Sequence, residues 1–118
     1  MVVDDTADVR ELMTMQLHLL GYEVVVATNG QEAVEVARET CPAVILMDIH
    51  MPLMDGLSAV RLIRNIKELC EVSIVAFSAF SDVGNRQRAL DAGCNDYVNK
   101  TAGINQLSTI VQRYLPAA

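Results

Sequence analysis

No apolar run in this 118-residue chain approaches the ~18 residues that a membrane-spanning helix needs, so no membrane protein is expected. The N-terminus has no basic stretch leading into an apolar one, as a secretory signal would. Cations are scarce: nine Lys and Arg stand against fifteen Asp and Glu, for a formal net charge of −6. A surface of that sign repels phosphodiester backbones, so direct nucleic-acid binding is not expected. Cysteine is rare and odd in number. Cys41, Cys70 and Cys94 lie far apart, form no C-x-x-C pair and cannot all pair with one another. Free, partly buried thiols in a reducing cytoplasm are expected instead. There is no internal repeat, low-complexity tract or linker composition.

What remains is 52% hydrophobic and 20% charged, the balance of a folded domain, and residues 1–118 read as one. Apolar segments alternate with helical ones. After Met1–Val3, the spacing of Val9, Leu12, Met13, Leu17 and Leu20 predicts a helix from Asp8 to Leu20, ended by Gly21. Val24–Ala27 reads as a strand. Asn29-Gly30 is a hairpin signal, but the helix formers of "QEAVEVARE" make Asn29 a helix entry. Strands follow at Ala43–Met47, Val72–Phe77 and Asp96–Asn99. Helices follow at Gly56–Asn65, with Ala59, Val60 and Ile63 on one face, and from an Asp82 cap to Ala92. A last helix runs from Ile104 to Leu115, with Ile104, Leu107, Ser108, Val111 and Leu115 on one face. Five β-α repeats with near-continuous apolar strands imply a parallel, helix-covered, doubly wound five-stranded sheet; of the common orders for such sheets, the flavodoxin-like 2-1-3-4-5 is the one expected.

Folds of this class bind ligands beyond the carboxyl ends of their strands. The first strand runs out at Asp4-Asp5, the third at Asp48, the fourth at Ser78 and the fifth at Lys100. Taken singly, each has a plain structural explanation: a helix cap, an Asx turn before Pro52, a loop serine, a solvated lysine. Together they would bring three carboxylates, a hydroxyl and an ammonium to one sheet edge. Three carboxylates that close repel unless a cation sits among them, and hard oxygens suit Mg²⁺ or Mn²⁺. Lys100 and Ser78 then supply donors for the oxygens of a transferred phosphoryl group, with Asp48 as the nucleophile.

"VVDD", "LMDIHMPLMDG", "AFSA" and "AGCNDYVNK" resemble, in order and spacing, the receiver domain of two-component response regulators, chemotaxis receivers included. The resemblance covers essentially the whole chain. It implies that Asp48 accepts a phosphoryl group from a phosphohistidine on a sensor histidine kinase or histidine phosphotransfer protein. It implies Mg²⁺ held by Asp5, Asp48 and the backbone carbonyl of His50, with Asp4 acting through water. Lys100 and Ser78 would bind phosphoryl oxygens. Tyr97 would be the switch aromatic that turns inward when Ser78 moves, and Pro52 and Gly56 would belong to the loop after the phosphorylation site. Such a domain is a signalling switch that catalyses its own phosphorylation and dephosphorylation, not a turnover enzyme. Its output would pass to an effector domain in the same chain, or to a homodimer through the fourth helix, fifth strand and fifth helix.

Three positions depart from the family pattern: Thr101 stands where proline is usual, the first strand is short, and Phe80 follows Ser78 by two residues. The short strand, beginning at Met1, fits a domain excised from a longer protein. An aspartyl-phosphate hydrolase of the dehalogenase type would need an acid/base Asp two residues after its nucleophile, where this chain has His50. A pseudo-receiver would have dropped site residues. A flavin domain would want a phosphate-cradling loop where "DDTAD" stands.

Overall fold

The computed structural model describes residues 1–49, 55–78, 83–99 and 106–115. Its elements are β1 (Val2–Val3), α1 (Ala7–Leu19), β2 (Val26–Ala27), α2 (Gly30–Thr40), β3 (Val44–Asp48), α3 (Gly56–Arg64), a 3₁₀ turn (Lys67–Leu69), β4 (Ser73–Ser78), α4 (Val83–Ala92), β5 (Asp96–Asn99) and α5 (Leu107–Tyr114). All strand pairs are parallel and the order is β2-β1-β3-β4-β5, the doubly wound arrangement expected.

The alternation of side chains along each strand sorts the core into two layers. Val44 and Leu46 of β3 and Val75 and Phe77 of β4 pack with Met13 and Leu17 of α1 and Leu107, Ile110 and Val111 of α5. Ile45, Met47, Ile74 and Ala76 face the other way, onto Ala33 and Ala37 of α2, Ala59, Val60 and Ile63 of α3, and Ala89 of α4. Each large side chain so buried contributes about 1.5–3 kcal/mol. That is why the central strands carry no polar residue before their ends.

Asn29 does open a helix. Its side chain accepts the Glu32 N–H at 2.8 Å, and Glu32 in return accepts the Thr28 N–H and hydroxyl at 3.2 Å each. This reciprocal cap is worth about 1 kcal/mol and outweighs the hairpin tendency of Asn-Gly.

Four expectations are corrected. Leu12 is not in the core but exposed, because α1 buries a narrow stripe through Met13 and Leu17. Ser108 is exposed and Ile110 takes the inward place. The β2 ladder covers only Val26 and Ala27, although the Val25 carbonyl still accepts the Val2 N–H at 2.9 Å. Two of the three thiols, Cys41 and Cys70, are exposed rather than partly buried. Asp82 and Ile104, expected to begin helices, lie outside the described residues.

At the end of the sheet away from the strand carboxyl ends, one side chain ties three segments together. Arg64, the last residue of α3, donates from Nε to the Gly93 carbonyl at 2.8 Å. Its Nη1 donates to the carbonyls of Cys70, at 3.0 Å, and Val72, and its Nη2 to Asn95 Oδ1 at 2.9 Å. Asn95 Oδ1 also accepts the Ile74 N–H at 2.7 Å, so α3, the start of β4 and the turn before β5 share one network. Arg64→Ala leaves three carbonyls without this donor and should cost about 2–3 kcal/mol. Arg64→Lys should recover little of it, because a single ammonium cannot span the fork. Urea denaturation measures both; an alanine variant as stable as wild type would show the network to be energetically idle.

Burial pushes the Cys94 thiol up to about 12, with the nearby Arg64 guanidinium pulling it partly back. Since only the thiolate reacts, Cys41 and Cys70 should be modified by an aromatic disulfide reagent at about pH 8 in the native protein, and Cys94 only on unfolding. A third thiol titrating at the native rate would contradict the packing around Cys94.

Candidate functional site

The register of the central strands assembles the site. Val3 pairs with Met47, so the residues that follow, Asp4 and Asp48, stand side by side at the carboxyl edge. The Asp4 N–H donates to the Ala27 carbonyl at 3.2 Å, which holds Asp4 in line with the sheet. Asp4 and Asp48 are buried and Asp5 is exposed. One carboxylate oxygen from each of the three lies within 4.8 Å of the other two.

Asp4 also has the structural part that a helix-cap reading would give it. Its Oδ1 accepts the Thr6 N–H at 2.8 Å, and its carbonyl accepts Arg10 Nη1 at 2.9 Å. Thr6, the N-cap of α1, makes no capping bond with its own side chain, so Asp4 organises the turn into the helix. Cap and cluster are therefore roles of the same residue.

On the other side of Asp48, β4 pairs Phe77 with it, and the Ile49 N–H donates to the Phe77 carbonyl at 3.1 Å. Ser78 follows, fully buried, and pairs in register with Asn99, the residue before Lys100. Tyr97 is buried in the layer beneath α4, on the same face of the sheet as Ala76 and Ser78. The expected site residues His50 and Lys100 lie outside the described residues, as do Pro52, Phe80 and Thr101.

Two local features hold the edge in place. Asp55 caps α3: its carboxylate accepts the Ser58 N–H at 2.8 Å. Gly56 brings the first turn of α3 against the end of β3, its N–H reaching the Ile49 carbonyl at 3.3 Å. A side chain there would press on the Asp48 carbonyl oxygen and come 2.6 Å from the Ile49 Cα.

The carboxylates suit a small hard cation. Ligand oxygens about 2.1 Å from one Mg²⁺ lie at most about 4.2 Å apart. The observed ceiling of 4.8 Å is slightly wider. The donor set therefore fits such a cation. Two grooves among the described residues, of about 600 and 550 Å³, lie elsewhere, one along α1 and one beside Met1 and Leu115.

Residues 1–112 match the family model of the response regulator receiver domain. The chain belongs to that family. Among curated relatives, the probable transcriptional regulator ycf27 of Pyropia yezoensis is 35% identical over all of this chain and 47% of its own length. The polar-differentiation response regulator DivK of Brucella anthropi is 31% identical over 98% of this chain and 94% of its own. The chain spans about half the length of the first group of curated relatives and nearly all of the second kind. Among solved structures, the receiver domain of the sensor histidine kinase PA1611 of Pseudomonas aeruginosa superposes with a TM-score of 0.87 at 35% identity, covering 96% of this chain and 93% of that one. That structure has a magnesium ion coordinated in its active-site cleft. The chain is thus a receiver domain of two-component response regulators, a signalling module. No helix among the described residues of this receiver domain is long and apolar enough to cross a membrane.

Proposed function

We propose that this receiver domain accepts a phosphoryl group on Asp48 from a phosphohistidine of a sensor histidine kinase or histidine phosphotransfer protein. The observation that carries the reading is the meeting of the Asp4, Asp5 and Asp48 carboxylates at one strand edge. Asp48 ends a strand paired on both sides, so its oxygen has the fixed position that in-line attack requires. That oxygen forms the bond to phosphorus as the phosphorus–nitrogen bond breaks, and the electron pair leaves with the imidazole.

Asp5, Asp48 and the His50 backbone carbonyl would hold Mg²⁺, or Mn²⁺, directly, and Asp4 through water. Bound there, the cation would offset the negative charge of the carboxylates and the phosphoryl oxygens. Lys100 would pair with one phosphoryl oxygen and the Ser78 hydroxyl would donate to another. Tyr97, buried beneath α4, would couple a shift of Ser78 to α4, β5 and α5. That face would meet an effector domain of a longer chain, or a second copy. The domain is a switch and not a turnover enzyme.

The test is incubation with acetyl phosphate and Mg²⁺, followed by intact-mass measurement and peptide mapping. One hydroxylamine-labile phosphoryl group per chain, on Asp48 and absent when a chelator is present during the incubation, is expected. Metal-independent labelling, or labelling mapped to another residue, would overturn the assignment.

A further inference from the structure

Of the six large apolar side chains exposed among the described residues, five belong to one region: Leu12, Met15 and Leu19 on α1, and Val25 and Val26 at the sheet edge. Met15 is 57% exposed and Leu19 81%. Between α1 and β2 runs a groove of about 600 Å³ lined by Arg10, Glu11, Thr14, Met15, His18 and Leu19, with Val26 as its far wall. β2 is the edge strand, so nothing in the sheet covers that wall. A concentration of apolar surface of this kind on a domain with a formal charge of −6 marks a contact surface.

The lining residues recur as neighbouring pairs every four positions, the ridge that packs against another helix. Their chemistry reads the same in both directions. Laid antiparallel against itself about a twofold axis between Thr14 and Met15, α1 sets Glu11 opposite His18 of the second copy, and His18 opposite its Glu11. The same alignment sets Met15 against Thr14 of the second copy. It lays the stem of Arg10 along Leu19, while the guanidinium stays on the Asp4 carbonyl. Each acid–imidazole and each apolar contact then occurs twice, as a twofold interface requires.

We propose that the α1–β2 groove is the interface of a twofold homodimer of this domain, formed without phosphorylation and separate from the α4–β5–α5 face. A 13-residue helix is about 20 Å long and buries less than a standard interface, so the dimer is weak, with a dissociation constant on the order of 10–100 µM.

Sedimentation equilibrium in chelator, without a phosphodonor and at about 0.15 M salt, reads it directly. Leu19→Asp should raise the dissociation constant at least tenfold with an unchanged thermal melt, since Leu19 makes little of the core. His18→Glu alone faces two carboxylates with each other and should weaken the dimer comparably. Glu11→His combined with His18→Glu exchanges the partners and should restore most of the affinity. Leu62→Asp, at the exposed apolar residue on α3, should change nothing. A wild type that stays monomeric up to about 1 mM would assign the groove to a helix of another protein and overturn the proposal. So would a dimer indifferent to Leu19→Asp, or a double exchange no better than His18→Glu alone.

Discussion

Asp48→Asn is expected to abolish phosphoryl uptake and, in metal-free solution, to raise the melting temperature by several degrees. The first effect follows from nucleophilicity: a carboxamide oxygen carries no charge to attack phosphorus, so labelling should fall to background, a loss of at least a hundredfold. The second follows from the crowding of the three carboxylates. Two unit charges within 4.8 Å repel by about 3.5 kcal/mol or more at an effective dielectric of 20, and solvent screening at the exposed Asp5 reduces this. Removing one charge also forfeits whatever Asp48 itself contacts, and a net gain of about 1 kcal/mol is the expected balance. The same variant should lose most of the stabilisation that Mg²⁺ gives the wild type, since a ligand stabilises only through the affinity it has for the folded state. Thermal melts with and without Mg²⁺, run beside the labelling assay, check both. If Asp48→Asn still takes up phosphoryl, the nucleophile is another residue. If it melts lower than wild type without metal, the carboxylates are already neutralised by neighbours and do not strain the fold.

Gly56→Ala should cost about 2–4 kcal/mol and slow phosphorylation at least tenfold, although the residue bears no functional group. Gly56 is not needed for its backbone conformation, as Gly93 is with its φ of +119°. It is needed for space. A methyl group there would stand against the Asp48 carbonyl oxygen and 2.6 Å from the Ile49 Cα, and both obstacles are backbone. Relief requires the start of α3 to move away from β3, or the end of β3 to shift. Either movement displaces the carboxylate of Asp48 from Asp4 and Asp5. At Gly93 the nearest obstacle is the Arg64 Cγ, 2.8 Å away, and a side chain yields more readily than a strand. Urea denaturation and the phosphorylation rate, measured where the variant is still folded, separate the two effects. A Gly56→Ala protein within about 0.5 kcal/mol of wild type and phosphorylated normally would mean that α3 is free to slide, against the close packing described.

Strand and helix alternation, the strand order and the three carboxylates at one edge could all be read from the sequence. Parallel strands buried on both faces need unbroken apolar runs, and a polar residue can appear only where such a run meets solvent. Asp4 and Asp48 therefore mark strand ends as clearly as they mark chemistry. Tyr97 and Ser78 share one face of the sheet because the β4–β5 register sets Ala76 beside Tyr97, and the strand period of two carries that face on to Ser78. Periodicity does not report neighbours, however. Arg64 looks like an ordinary basic residue at a helix end, yet its partners lie 6 to 31 positions away, at Cys70, Val72, Gly93 and Asn95. Leu12 and Met13 are equally apolar in sequence, and only the seating of α1 between β2 and α5 turns one outward and the other in. The apolar run of Val24, Val25 and Val26 reads as a buried strand, but its place at the sheet edge leaves two of the three exposed. The local hydrophobic pattern was sufficient for the fold and for the meeting of Asp4, Asp5 and Asp48, because both are written at strand ends. The Arg64 network, the close approach at Gly56 and the open α1–β2 groove arise only when distant segments meet, since they depend on which backbone and side-chain atoms fall within a few ångströms of one another.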